Sequence, residues 1–113
     1  MHELGIVQSI INITEKRCRD NGGGRIVGIR IVAGELRGII KNQLEVCFKF
    51  AAKGTPAEDA WLEIETVPVE AYCDTCQKTF QVHQMNFYCD TCQQFCPRLL
   101  RGKELRVEEI LML

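Results

Sequence analysis

Cys73-Asp74-Thr75-Cys76 and, twelve residues later, Cys89-Asp90-Thr91-Cys92 decide how this 113-residue chain is read. Two thiols separated by two residues can bite one metal ion from a tight turn. Two such knuckles at this distance can set four thiolates at the corners of a tetrahedron, the arrangement of closed structural zinc sites. Each knuckle is followed by residues that can form one arm of a hairpin, so the segment reads as a zinc ribbon.

A segment of about thirty residues cannot bury a self-sufficient core. Bound zinc can supply on the order of 10–16 kcal/mol to such a fold, so the metal is expected to hold it together. A redox role for either Cys-x-x-Cys lacks the neighbouring βαβ pattern. Iron accepts the same four sulfurs and is the competing metal. Cys96, four residues after Cys92, is either a competing ligand or a spare thiol on the ribbon. Cys18 and Cys47 fall on apolar helical faces and are read as small core residues.

Working outward, the remaining chain has the length and the 46% hydrophobic content of one compact body with a small appendage. A net charge of -1 offers no basic field for nucleic acid or an anionic membrane. Seven cysteines, four of them in knuckles, argue against a secreted disulfide framework and for a reducing compartment, expected to be the cytoplasm. The start of the chain has no basic lead or small-residue cleavage pattern, and no apolar run approaches membrane-spanning length.

From Glu3 to about Asp20, Leu4, Val7, Ile10, Ile11, Thr14 and Cys18 share one side of a helix, which Asn21-Gly22-Gly23-Gly24 ends. Arg25 to Ala33 alternates as a strand with Val27, Ile29 and Ile31 on one face, and residues 34–38 form a loop. A second helix is expected over Lys41 to Lys53, with Leu44, Cys47, Phe48 and Ala51 inward and Gly54 as its stop. Thr55-Pro56-Ala57-Glu58 has the form of a capping box, yet a strand follows, so one helical turn at most is expected. Trp61 to Val69 and Leu105 to Leu113 are the other two strands, with Glu109 marking a break in alternation.

The fold class is thus α/β in the α+β sense: two helices packed on a small three-stranded sheet, with an inserted zinc-ribbon module. The expected domains are a discontinuous α/β body, residues 1–69 plus 99–113, and a ribbon over residues 70–98.

A second candidate site is Met1-His2-Glu3. A terminal amine, an imidazole on the next residue and the intervening amide nitrogens can wrap a metal in fused chelate rings, surroundings that suit Ni²⁺ or Cu²⁺. By itself so short a triplet can also arise by chance, and its context decides. His83, between the knuckles, is either an exposed hairpin histidine, a further nickel ligand or a substitute for a zinc thiolate.

The whole pattern resembles the HypA/HybF family of hydrogenase-maturation nickel metallochaperones. The resemblance rests on Met1-His2-Glu3-Leu4, Gly34-Glu35-Leu36, Gly54-Thr55-Pro56-Ala57-Glu58 and the doubled knuckle. It implies a non-enzymatic protein that accepts Ni²⁺ and passes it, with a HypB-type GTPase, to the large subunit of a [NiFe]-hydrogenase; a homodimer is compatible with it. It also implies that His2 ligates nickel through its imidazole with backbone nitrogens around Met1, His2 and Glu3. Cys73, Cys76, Cys89 and Cys92 would bind structural zinc. Ile39 and Ile40 stand where an acidic ligand could have been supplied.

A different class of function is a zinc-ribbon adaptor for nucleic acid or protein. Lys78, Arg98, Arg101 and Lys103 with Phe80, Phe87 and Tyr88 would form its basic-aromatic surface, diluted by Asp74, Asp90 and Glu104. A hydrolase or oxidoreductase is disfavoured, because four-cysteine zinc leaves no open position and no nucleophile–base set is visible.

Overall fold

The computed structural model describes residues 2–113, with the backbone alone at His2. Helix α1 spans His2–Asp20 and buries Val7, Ile10, Ile11, Thr14 and Cys18. Leu4 was expected on this stripe but is 53% exposed, whereas Glu3 is 5% exposed. Helix geometry explains the exchange. At 100° per residue Glu3 falls about 35° from the centre of the buried stripe and Leu4 about 65°. The buried Thr14 hydroxyl donates to the Ile11 carbonyl at 2.9 Å, so its burial leaves no polar group unmet. Beyond Asp20 the Gly23 amide returns to the Cys18 carbonyl at 2.8 Å, with Gly22 and Gly23 both at positive φ. That closes the helix as a glycine C-cap does.

Strand β1 (Ile26–Gly34) is the centre of a three-stranded sheet ordered β2-β1-β6, with β2 at Trp61–Val67 and β6 at Leu105–Met112. Helix α2 (Lys41–Ala51) packs against α1. Leu44 and Phe48 are fully inside, and Cys47 and Ala51 lie against the same core as Ile29 and Ile31 of β1. Val27, expected beside them, is exposed.

Along β6 the inward residues are Val107, then Ile110 and Met112, while Leu111 and Leu113 face out. The inward side therefore switches from odd to even positions across Glu108-Glu109. A strict period of two would have exposed Ile110 and Met112.

After α2 no helix forms at Thr55–Glu58. The Glu58 carboxylate accepts the Gly54 amide at 2.7 Å, and the Thr55 hydroxyl accepts the Ala57 amide at 3.1 Å. These side chains act as caps do, but on successive turns.

On the outer side of the sheet, Trp61 lies directly over Gly28. A Cβ at that glycine would stand 2.1 Å from the indole. Arg30 sits over the same ring at 5.8 Å and is held by Glu63 at 2.6 Å and by Glu109.

The chain divides into two units. One takes the chain up to Val32, Ile39–Glu65 and Arg106–Leu113; the other takes Ala33–Gly38 and Thr66–Leu105. The second unit includes more chain than residues 70–98. Its sheet is β4-β3-β5, with β3 (Glu70–Cys73) antiparallel to β4 (Lys78–Gln81) and β5 (Leu99–Arg101).

Residues 35–37, expected as plain loop, form one turn of 3-10 helix tied into this unit. The Gly34 amide donates to Glu104 O at 2.7 Å, Leu36 N to Gly102 O at 2.9 Å, and Val69 N to the Glu35 carboxylate at 3.3 Å. At Gly34 a Cβ would lie 2.0 Å from the Gly102 carbonyl oxygen, so the two backbones cross where only glycine fits. The Gly34-Glu35-Leu36 segment is thereby a structural fastening.

Candidate metal centre

Cys73 ends β3 and pairs across the hairpin with Lys78. The chain between them turns through Asp74–Gln77 and brings Cys76 back toward Cys73, whose sulfur accepts the Cys76 amide at 3.4 Å. In the second knuckle it is the Thr91 amide, one position earlier in the turn, that donates to Cys89 sulfur at 3.4 Å. Both knuckles are followed by a glutamine in the left-handed region, Gln77 at φ 53° and Gln93 at φ 63°. The two turns are two uses of one five-residue sequence, Cys-Asp-Thr-Cys-Gln, each closed by its left-handed glutamine.

The knuckles are laced together at their rims. Thr75 donates to the Gln94 side-chain oxygen at 2.5 Å, and Lys78 reaches Asp90 at 3.1 Å and the Thr91 hydroxyl. The result is a cage of four sulfurs, all within 4.8 Å of one another, with Cys73 to Cys92 at 3.5 Å and Cys76 to Cys89 at 4.0 Å. A tetrahedron with arms of about 2.3 Å has edges of about 3.8 Å, so the spacing fits a tetrahedral thiophilic cation.

Cys73 and Cys89 are buried and Cys76 and Cys92 half-buried. Amide hydrogen bonds from Cys92 and Thr91 bring the Cys89 thiol down to about 6, and the Cys76 amide lowers Cys73. Hydrogen bonding with Cys92, then burial, drives Cys76 up to about 12. Four adjacent sulfurs cannot all carry charge without a cation among them, and the split shows how the thiols divide the burden. Among the described residues these four cysteines form the one group of His, Cys, Asp and Glu side chains close enough to share a metal ion. A set of four thiolates is complete, with no position left for substrate or cargo.

The other candidates fall elsewhere. Met1 and the His2 side chain lie outside the described residues; Glu3 is in the first turn of α1 and buried. His83 is exposed at the tip of a hairpin, bridged to Asn86 through Gln84 and Met85, both at positive φ. It lines an open depression of about 560 Å³ and is no part of the sulfur cage. Ile39 packs on the helix–sheet core and Ile40 is exposed, so neither offers a donor.

Three of the four basic side chains of the adaptor reading are ion-paired, and one of its three aromatics lies inside. Lys78 is paired with Asp90, Arg98 with Asp74 at 3.5 Å while stacked on Tyr72, and Arg101 with Glu70 at 3.6 Å. Phe80 is buried, and Tyr88 stacks on Phe95 instead. Cys96 is only 6% exposed, packed with Cys73 and Cys89, and burial raises its thiol to about 11.

Comparison with known proteins agrees with this architecture. Residues 1–112 match the family described as hydrogenase/urease nickel incorporation, metallochaperone, HypA. The chain is 38% identical over 107 residues to hydrogenase maturation factor HypA of Chlorobaculum tepidum, covering 95% of each. With the factor of the same name from Geobacter metallireducens it shares 36% over 110 residues, covering 97% of each. The solution structure of the nickel metallochaperone HypA from Helicobacter pylori overlays on all of this chain and 98% of its own, with a TM-score of 0.68 at 26% identity. A second solution structure of a HypA protein gives 0.73 at 25% identity, covering all of this chain and 97% of its own. A match of this length, carried through the helices and the doubled knuckle alike, makes the chain a member of the HypA family of metallochaperones.

Proposed function

We propose that this protein carries Ni²⁺ as cargo, binding it at Met1-His2-Glu3 and delivering it during maturation of a [NiFe]-hydrogenase. The observation that carries this reading is that the match to a nickel-incorporation family begins at residue 1 and so includes that triplet. The α helix begins at His2. A helix uses none of the first-turn amide N–H groups in its own ladder, so backbone nitrogens at positions 2 and 3 can ligate without breaking a helical bond. His2 supplies the imidazole and the Met1 amine the terminal nitrogen. Glu3, placed in the first turn, favours the helix start by its charge and offsets that of the cation.

Zn²⁺ is held by Cys73, Cys76, Cys89 and Cys92, and its chemistry there is structural cross-linking of the two knuckles. The cage is closed, the terminal chelate is open, and the protein works as a carrier, not as an enzyme. Its partners in this reading are a HypB-type GTPase and the hydrogenase large subunit, in the cytoplasm, with a homodimer as a compatible state. Among the described residues no helix is long and apolar enough to cross a membrane.

Calorimetric titration with Ni²⁺ tests the proposal. Protein with its native terminus takes up about one Ni²⁺ per chain by the chelate argument, and protein extended at the N-terminus takes up none. Equal affinity in the two forms would contradict the assignment.

A further inference from the structure

The ribbon sheet β4-β3-β5 has two edges, and the chain treats them differently. Just past β5, residues 34–38 lie alongside, with Leu36 N donating to Gly102 O and Gly34 N to Glu104 O. Among the described residues the β4 edge has no such cover. The Val82 amide donates to Val69 O at 2.8 Å and the Tyr72 amide turns the other way, to Arg98 O at 2.9 Å. With Phe80 opposite Ala71, this fixes the direction of every backbone group of β4. Lys78 and Phe80 bond to β3, and Thr79 and Gln81 aim their N–H and C=O groups away from it. Both of these residues are exposed, and among the described residues their outward backbone groups have no hydrogen-bond partner. Lys78, the side chain that could guard this edge, is instead tied to Asp90 and Thr91 of the second knuckle.

Beside Phe80 and Gln81 the edge opens onto the depression of about 560 Å³, walled by His83, Asn86, Tyr88, Asp90 and Gln93. The described residues that line it include one carboxylate and neither lysine nor arginine. Lys78 and the Thr91 hydroxyl both bond to Asp90 Oδ1, which leaves Oδ2 without a partner among the described residues. Tyr88 adds an exposed aromatic ring.

We infer that the β4 edge and this depression are a docking site for an extended segment of a partner protein, which adds to the sheet as a further strand and carries an arginine or lysine opposite Phe80. The free N–H and C=O groups of Thr79 and Gln81 run as alternate donors and acceptors along one line. An extended backbone matches that pattern, and a helix, whose own backbone groups are already used, does not. In an antiparallel addition the residue opposite Phe80 forms a narrow pair with it and points to the same side, so it enters the depression. There the Asp90 carboxylate and the Tyr88 ring receive a cation. The backbone supplies the hold, and this one side chain the choice of partner. The site lies within the ribbon and uses no cysteine sulfur and no residue of the terminal triplet.

A displayed heptapeptide library, with threonine or valine at the outer positions and every residue type at the centre, is selected on the zinc-loaded full chain. Arginine and lysine are expected at the centre about ten-fold more often than aspartate and glutamate. A recovered peptide slows amide hydrogen exchange at Thr79 and Gln81 several-fold. Gln81→Pro removes only an outward N–H, which an edge strand tolerates, and abolishes binding while zinc content is unchanged. Should Gln81→Pro not fold, Asp90→Asn decides, by erasing the preference for a basic centre. An empty selection, no basic preference, or bound peptides that leave Thr79 and Gln81 exchanging freely would overturn the proposal. Concentration-dependent protection of these two amides without any peptide would give the edge to a second copy of the chain, and would overturn it equally.

Discussion

The sulfurs of Cys73 and Cys92, one from each knuckle, lie 3.5 Å apart, although nineteen positions separate them in the chain. A cation bound among four thiolates would hold sulfurs that close. Stripping the metal with a strong chelator is expected to abolish ordered structure around β3 and β4, while the core of Val7, Ile11, Leu44 and Phe48, which needs no metal, stays folded. Backbone nuclear magnetic resonance spectra of chelator-treated protein check this. Retention of all dispersed signals from residues 70–98 would count against a metal-held ribbon.

Between loss of the metal and disordering of the ribbon, the four thiols should titrate unevenly. Cys89 has a folded value of about 6 against an ordinary 9.0, so its thiolate contribution to stability is complete above pH 9 and is lost as pH falls through 6. Cys76, pushed up to about 12, works oppositely: its neutral form is favoured below 9, and the benefit is lost as pH rises toward 12. Thiolate absorbance read just after rapid chelation, before the ribbon disorders, should therefore rise first near 6, from Cys89, and Cys89→Ser should remove that step.

Gln77 and Gln93 occupy left-handed positions that cost a side-chain-bearing residue about 1 kcal/mol or more relative to glycine. Gln77→Gly or Gln93→Gly is expected to stabilise the zinc-loaded protein by about 1 kcal/mol, seen as a raised melting temperature. Gln77→Val should lower it.

Gly28→Ala places a methyl group into the Trp61 ring. The expected cost is about 1–3 kcal/mol, with the indole fluorescence shifted as the ring lifts into water. The partner change Trp61→Ala should relieve most of the penalty, so a denaturant-based double-mutant cycle should show strong coupling.

The doubled knuckle was legible because its information is chemical and local: residue type and spacing suffice to specify four sulfurs on one ion. The α1 stripe was legible for the same reason, since Val7, Ile10, Ile11, Thr14 and Cys18 repeat at helical spacing. The exchange of Glu3 for Leu4 was present in the helical angles but masked by residue type, an acidic side chain reading as the outward one. What escaped were relations set by tertiary contacts. The switch of face in β6 depends on how Val107 and Ile110 meet the helices, and the fastening of residues 34–38 on the Gly34–Gly102 crossing.

Phe48→Ala tests whether cargo binding is independent of body stability. Removing this buried ring should cost about 3–5 kcal/mol, read from denaturant unfolding. The folded fraction should still bind Ni²⁺ with unchanged stoichiometry.

Cargo and structural metal are expected to occupy different ends of the chain. Metal analysis of untagged wild-type protein and His2→Ala after equilibration with Ni²⁺ addresses it directly. Nickel uptake is expected to be abolished in His2→Ala with zinc held at wild-type content; nickel uptake unchanged in His2→Ala, or lost together with zinc, would rule out separate sites.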